Sequence, residues 1–351
     1  MMNNNHLVIM AGGGGSRFWP LSSEERPKQF LDVLGCGKTL LQLTAERFRG
    51  VVPAENVWVV TSAAYHDLVR EQLPGLPDTN ILLEPCRRNT APCIAYVSWR
   101  IKKLNPRANV VVSPSDHIVT DIDGFKAAVT EAMEFSAETD AIVTLGIRPD
   151  RPETGYGYIE GDLSFSSSRK KNIFRVDSFK EKPALEVAQE YVRQNNYFWN
   201  SGIFVWSVNT IVNAFRVYCP EMARLFEGLM PVYGTPEEQD AINREFPKCE
   251  NISVDYAIME KAEEIFVYPA SFGWSDLGSW SSLRQQVKQD LHGNACIGEN
   301  IDLYETNNCI VHTTQEKKVV VQGLDGYVVV EKDGILLICK LSEEQRIRLF
   351  H

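Results

Sequence analysis

The chain has 351 residues, 44% of them hydrophobic, enough for a large folded core arranged as one big domain with a smaller one, or as two of middling size. Lys and Arg number 36 against 46 Asp and Glu, and a net charge of -10 offers no general field for nucleic acid or an anionic membrane, so a bound anion has to be caught by a local cluster. The eight cysteines, at 36, 86, 93, 219, 249, 296, 309 and 339, form no CxxC pair and have no histidine at metal-finger spacing, which suits reduced thiols and argues against a disulfide framework.

In chain order, short β-branched runs alternate with helical patterns. "HLVIMA" at 6 precedes a helix over 39–50, "NVWVV" at 56 one over 64–73, "NILLE" at 80 one over 90–104, and "NVVVSP" at 109 one over 121–138. "AIVTLGI" at 141 adds a further strand. This rhythm predicts βαβ units and a largely parallel sheet with helices on both faces. From about 155 the pattern is mixed: "GYGYIE", "IFRVDSFKEKP" and "YFWNSGIFVW" read as antiparallel or edge strands bounded by Gly, Pro or Asn. A helical stretch follows near 277–290, and then "CIVHTT", "KKVVVQG", "GYVVVEK" and "GILLICK" make 291–351 a small β-rich unit whose rungs suit a brief β-helical solenoid. The apolar run Leu7 to Ala11 is too short for a secretory segment and no stretch reaches the length of a membrane span, so a cytoplasmic location is expected.

The segment "MAGGGGSRFWPLSSEERPKQF", residues 10–30, puts a glycine-rich turn after the first strand, where doubly wound sheets hold ligands. It is not the dinucleotide fingerprint: counting from Gly12 the last glycine position is Arg17, and from Gly13 it is Phe18. "GCGKT" is not an ATPase P-loop, because the glycine needed five residues before Gly37 is Asp32. What is left is a loop whose backbone N–H groups can approach a ligand, with Arg17 and Lys28 as positive charges for phosphate oxygens. Alone, such a glycine run is more often a solvated turn.

"AGGGGSRFWPLSSEERPKQF" resembles the signature of the sugar-1-phosphate nucleotidyltransferases, and "FWPLS" and "PKQF" resemble the branch that makes GDP-mannose from mannose 1-phosphate and GTP. The resemblance continues in order through "EPCRRNTAP" (84–92), "SPSDH" (113–117), "TGYGYI" (154–159), "FKEKP" (179–183), "WNSGIFVW" (199–206) and "WSDLGSW" (274–280). It implies an α/β fold: a Rossmann-like, GT-A-like nucleotidyltransferase domain with a mixed central sheet over 1–290, then a small C-terminal left-handed β-helix segment over 291–351. It implies transfer of GMP from GTP to mannose 1-phosphate by in-line attack on the α-phosphate, with Mg2+ as cofactor; a homodimer is compatible with this reading. Two alternatives stand beside it: a guanylyltransferase for another sugar 1-phosphate, and a non-catalytic GDP-sugar-binding regulatory relative. The position after "PLS", often basic in the family, is Ser23. The chain ends at His351 without the cupin-like isomerase domain of longer relatives, so no mannose 6-phosphate isomerase activity is expected.

The residues then take roles. Both reactants are anions, so cations and positioning carry the catalysis. Asp116 and Asp276 are the expected Mg2+ ligands, although either aspartate alone reads as a cap or turn residue. Arg17 and Lys28 are expected on the triphosphate and count with the two aspartates as catalytic. Ala11, Gly12, Gly13, Gly15, Asn89 and Ala91 complete the nucleotide site, with Glu84 accepting from the adjacent N1–H and N2–H2 donors of guanine. Lys182 is expected on the sugar phosphate, and Glu181, Asn200 and the backbone of Gly157 on sugar hydroxyls. His117 is not assigned as a base, because a phosphate monoester is already ionised at neutral pH. Trp199, Trp206, Trp274 and Trp280 read as packing and pocket walls.

Overall fold

A computed structural model of the chain describes residues 4–14, 17–166, 172–313 and 317–350. In chain order the strands are β1 (Asn5–Ala11), β2 (Val57–Ser62), β3 (Ile81–Glu84), β4 (Asn109–Pro114), the two-residue β5 (Ile118–Val119), β6 (Ile142–Ile147), β7 (Gly157–Ser166), β8 (Phe174–Glu181), β9 (Tyr197–Ser207), β10 (Ile265–Ala270), the two-residue β11 (Trp274–Ser275), β12 (Ala295–Ile297), β13 (Ile301–Tyr304), β14 (Ile310–Thr313), β15 (Val319–Gln322), β16 (Tyr327–Lys332) and β17 (Ile335–Lys340). The α-helices are α1 (Leu40–Arg47), α2 (His66–Gln72), α3 (Thr90–Leu104), α4 (Ile122–Glu138), α5 (Leu185–Arg193), α6 (Val208–Tyr218), α7 (Pro220–Gly228), α8 (Glu238–Glu245) and α9 (Trp280–Gln286). The chain divides into two bodies: one holds the residues up to Gly12, Ala45–Ser115 and Val119–Trp274, the other Gly13–Thr44, Asp116–Ile118 and the chain from Ser275 onward.

In the first body nine strands form one sheet in the order β3-β2-β1-β4-β9-β6-β10-β8-β7. The neighbours β3, β2, β1 and β4 run parallel, as do β6 and β10, while β9 runs antiparallel to β4 and β6, and β8 antiparallel to β7 and β10. The sheet is therefore mixed, as the family resemblance implies. Its parallel half agrees with the βαβ rhythm, and the antiparallel half lies where the pattern changes near 155. The helices α5 to α8 are absent from that strand-dominated reading.

The β-branched centres of β1, β2 and β4 are buried on both faces, as in Val8, Val59, Val60, Val111 and Val112. Helix α3 is buried from Ala91 to Ile101, and its Trp99 stacks on Phe226 at 6.2 Å. Burial of one such large apolar side chain stabilises by about 1.5–3 kcal/mol, so this face is a main source of the body's stability. Asp121 starts α4 by accepting from the N–H of Gly124 at 2.9 Å, and the turn is tight enough that a Cβ on Gly124 would meet Asp121 Oδ2 at 2.3 Å.

The second body packs Phe18, Leu21, Val33 and Leu40 with Leu277, Trp280 and Leu283, and with Ile297, Ile310, Val328, Val330 and Leu337 from the C-terminal strands. There β12, β14 and β16 form a parallel ladder, β13 pairs parallel with β15, and β17 returns antiparallel to β16. The described part of the β-rich tail expected over 291–351 falls inside this body, which also draws in 13–44, 116–118 and 275–290. Among the described residues no helix is long and apolar enough to cross a membrane, and all eight thiols are free.

Candidate active site

In the second body, Pro27 leads into a single 3-10 turn, Lys28–Phe30, whose three side chains are all buried. Lys28 points inward. Its Nζ lies 2.9 Å from Asp116 Oδ2 and donates to the main-chain carbonyls of Asp276 at 2.8 Å and Leu277 at 3.1 Å. An ammonium has three N–H donors, and these three partners use them all. Lys28, expected on the triphosphate, here joins the Asp116 carboxylate to the Asp276 turn, which puts that carboxylate and the Asp276 carbonyl within two hydrogen-bond lengths of each other. Burial works to raise the Asp116 pKa, but the Lys28 ammonium and His117, whose Nε2 is 3.6 Å from Oδ1, outweigh it and hold the carboxyl below its ordinary value.

The Asp276 turn is held by its own chemistry. Asp276 Oδ1 accepts from the N–H of Gly278 at 2.9 Å, and a Cβ on Gly278 would come within 2.7 Å of Asp276 Oδ2. Leu277 and Trp280 are fully buried behind it, and a capping box between Ser279 and Ser282 starts α9. Trp280 meets Phe18 edge-on at 5.0 Å, so the turn and the segment after the glycine run share one core. Gln29 Nε2 donates to the carbonyl of Gly13 at 2.9 Å, while Arg17 stands exposed. Gly15 lies outside the described residues.

No three His, Cys, Asp or Glu side chains cluster to hold a metal ion among the described residues. The donor set nevertheless fits Mg2+, which takes one or two carboxylates and completes its shell with water and phosphate oxygens. Asp116 offers an ionised carboxylate, and Asp276 a second on a turn fixed by the same ammonium.

In the first body, β1 ends at Ala11, whose carbonyl accepts from Thr61 Oγ at 2.8 Å, and Gly12 follows. Glu84 closes β3 directly beside it: a Cβ on Gly12 would lie 3.3 Å from Glu84 Oε2. The carboxyl is buried and its Oε1 has no partner among the described residues. Burial pushes the Glu84 pKa up to about 8, against a smaller opposing pull from the Cys93 thiol, so at neutral pH it is mainly the uncharged acid rather than the carboxylate expected to face guanine. Asn89, at φ 66°, is exposed and accepts the N–H of Thr90 at 2.9 Å to start α3. Ala91 is fully buried and its N–H goes to the carbonyl of Ile252 at 3.1 Å, while Thr90 Oγ accepts from the N–H of Val254 at 2.9 Å.

The expected sugar residues meet in this same body. Gly157 pairs with Glu181 between β7 and β8, and Asn200 of β9 sits opposite Gly146 at a break in the β6 register. A Cβ on Gly157 would fall 2.5 Å from Glu181 Oε2 and 3.4 Å from Asn200 Cβ, so glycine is needed for the three to come together. Lys182, at φ 47°, reaches back so that its Nζ lies 2.6 Å from Glu181 Oε1, and that contact raises its pKa. Tyr156 meets Trp199 at 5.2 Å and Trp274 at 5.3 Å, and the Arg151 guanidinium lies 4.9 Å from the Trp199 ring centre. Trp199, Trp206, Trp274 and Trp280 are all buried, as packing residues should be.

Asp255 also belongs to this group, and the motif reading misses it. It opens a single π-helical turn, Asp255–Met259, and accepts from Asn200 Nδ2 at 2.9 Å. Burial, then the nearby Glu181 charge, push its pKa up to about 6. Its only signal in the sequence is an acid set in the apolar stretch "SVDYAIME", 55 residues from Asn200, with no spacing to connect the two.

Residues 6–293 match the Nucleotidyl transferase family. The chain belongs to that family. It is 39% identical over 335 residues to the mannose-1-phosphate guanylyltransferase of Escherichia coli K12, covering 94% of this chain and 69% of the relative. It is 34% identical over 348 residues to the alginate biosynthesis protein AlgA of Pseudomonas syringae, covering 97% of this chain and 70% of that one. A crystal structure from Thermus thermophilus, described as a mannose-1-phosphate geranyltransferase, superposes with a TM-score of 0.87 at 33% identity, over 99% of this chain and 98% of that one. The mixed sheet of the first body is thus a nucleotidyltransferase fold.

Proposed function

We propose that this protein is a mannose-1-phosphate guanylyltransferase: an oxygen of mannose 1-phosphate attacks the α-phosphorus of GTP, GDP-mannose forms and pyrophosphate leaves in line. The observation that carries the reading is the Lys28 clamp, which binds the Asp116 carboxylate and the Asp276 turn to one ammonium in a family whose curated members carry that activity. Asp116 and Asp276 would hold Mg2+, which when bound would polarise phosphate oxygens and mask their charge. Lys28 keeps the two aspartates in place and leaves positive charge beside the phosphates, and exposed Arg17 is free to swing onto the triphosphate. Ala11, Gly12, Gly13, Gly15, Asn89 and Ala91 are the residues assigned to the nucleotide. The unpartnered Glu84 Oε1 is the acceptor that an N–H of the guanine edge would fill. Lys182 takes the sugar phosphate, which releases Glu181 to accept hydroxyls beside Asn200 and Gly157.

The same reading makes 1–290 the nucleotidyltransferase domain and 291–351 a β-helix-like unit, supported by the parallel β12-β14-β16 and β13-β15 ladders. It places the enzyme in the cytoplasm, with a homodimer compatible. The test is a matrix of nucleoside triphosphates against sugar 1-phosphates with Mg2+, read as pyrophosphate release. GTP with mannose 1-phosphate should lead. A different leading sugar would overturn the mannose assignment, and no turnover with any pair would leave a GDP-sugar-binding protein.

A further inference from the structure

We propose that Asp255 is a positioning residue that aims the Asn200 amide at a sugar hydroxyl, so that sugar affinity depends on a carboxylate outside the family motifs noted in the sequence. This rests on the sugar-site reading above. An Asn side chain has two N–H donors and one carbonyl oxygen with two lone pairs. Asn200 Oδ1 accepts from the N–H of Gly202 at 3.0 Å and from Thr144 Oγ at 3.5 Å, and Nδ2 gives one hydrogen to Asp255 at 2.9 Å. One N–H remains. With its oxygen and one of its hydrogens held from opposite sides, the amide cannot turn about its last bond, and the free N–H has one direction. Beside it, Glu181 supplies an acceptor, since Gly157 brings the two side chains together. One donor and one acceptor, both fixed, suit a sugar bearing neighbouring hydroxyls, one accepting from Asn200 and one donating to Glu181.

The turn that carries Asp255 is built for this placement. A π-helical turn is rare and concentrates at functional sites. Here Ala257, Ile258 and Met259 anchor it in the core, and the N–H of Val254 is tied to Thr90 Oγ. A buried acid beside Glu181 is unfavourable on its own, and a partly compensating Lys182 stands at the rim. The hydrogen bond that the acid accepts from Asn200 offsets part of that cost.

The experiment compares steady-state kinetics of wild type, Asp255→Ala, Asp255→Asn, Asn200→Ala and the Asp255→Ala/Asn200→Ala double variant, with GTP and mannose 1-phosphate varied separately. Asp255→Ala should raise the sugar-phosphate KM about 10- to 100-fold, the order for one oriented polar contact, and leave the GTP KM within about twofold. Asp255→Asn should restore the sugar KM to within about threefold of wild type, because its carbonyl can accept the same N–H. Asn200→Ala should cost at least as much as Asp255→Ala, and the double variant should be no worse than Asn200→Ala alone. Asp255→Leu, which keeps the volume without the acceptor, replaces Asp255→Ala if that variant fails to fold. An unchanged sugar KM in Asp255→Ala or Asp255→Leu, equal rises in both KM values, or losses that multiply in the double variant would each overturn the inference. Wild-type turnover only with another sugar 1-phosphate would remove the mannose assignment while the same comparison on that sugar still tests Asp255; turnover with none removes both.

Discussion

Replacing Glu84 with Gln should make the first body more stable at high pH while changing little at low pH. In the folded chain burial holds the Glu84 carboxyl at about 8, against an ordinary value of 4.5 once unfolded. Below pH 4.5 both states carry the proton and the group contributes no difference. Between the two values the folded state keeps a proton that the unfolded state has lost, so stability falls as pH rises, and above pH 8 the full cost of a buried charge is present. The whole interval corresponds to about 4–5 kcal/mol as an upper limit, since each pKa unit is about 1.4 kcal/mol. Gln keeps the shape and does not titrate. Urea unfolding followed by tryptophan fluorescence at pH 5.5 and pH 9 should therefore show the variant gaining several kcal/mol on wild type across that range, with other titrating groups cancelling in the comparison. Infrared difference spectra should show a carboxylic-acid carbonyl band in wild type at pH 6.5 that is missing in the variant. A stability difference equal at both pH values, or no such band, would refute a buried neutral Glu84.

Three further outcomes follow from the site. Asp116→Asn and Asp276→Asn should each lower kcat by about 100-fold or more with circular dichroism unchanged, because each removes a carboxylate proposed to hold Mg2+ in a reaction between anions; near wild-type rates across a Mg2+ titration would remove that residue from the ligand set. Lys182→Ala should raise the KM for mannose 1-phosphate far more than for GTP, and Arg17→Ala should do the reverse, while equal effects on both substrates would break the assigned division. Glu84→Leu, which removes the acceptor, should weaken use of GTP by about 1–3 kcal/mol and narrow its lead over ITP, UTP and ATP, the order of one lost buried polar contact; an unchanged ranking would take Glu84 out of base reading.

Much of this molecule is legible in its sequence, for reasons that differ between its parts. β1 to β4 are visible because strands buried on both faces need unbroken β-branched runs, and α3 and α4 because their lengths match the apolar period and Asn89 and Asp121 start them. The grouping of Gly157, Glu181 and Asn200 comes through motif resemblance alone, since it depends on strand register. What local pattern cannot carry is direction. Nothing in "RPKQF" says that Lys28 turns inward to carbonyls nearly 250 residues away, and nothing in "NILLE" says that the last carboxyl lies against Gly12. Asp255 is hidden for the same reason, because its partner lies across the sheet and its π turn has no period of its own. Helices α5 to α8 escape notice because aromatic-rich strands dominate the pattern from 155 onward.

Thr90 stands at a junction. Its backbone opens the helix behind the nucleotide motif, and its hydroxyl holds the N–H of Val254, one residue before the acid that orients Asn200. Ala91 repeats the tie through Ile252. Two hydrogen bonds thus tie "RNTAP" to the segment that leads into the Asp255 turn, so a change in one loads the other. An engineer who recuts "RNTAP" cuts into the bonds that hold the Asp255 turn, and the hydroxyl of Thr90 is the first group to preserve.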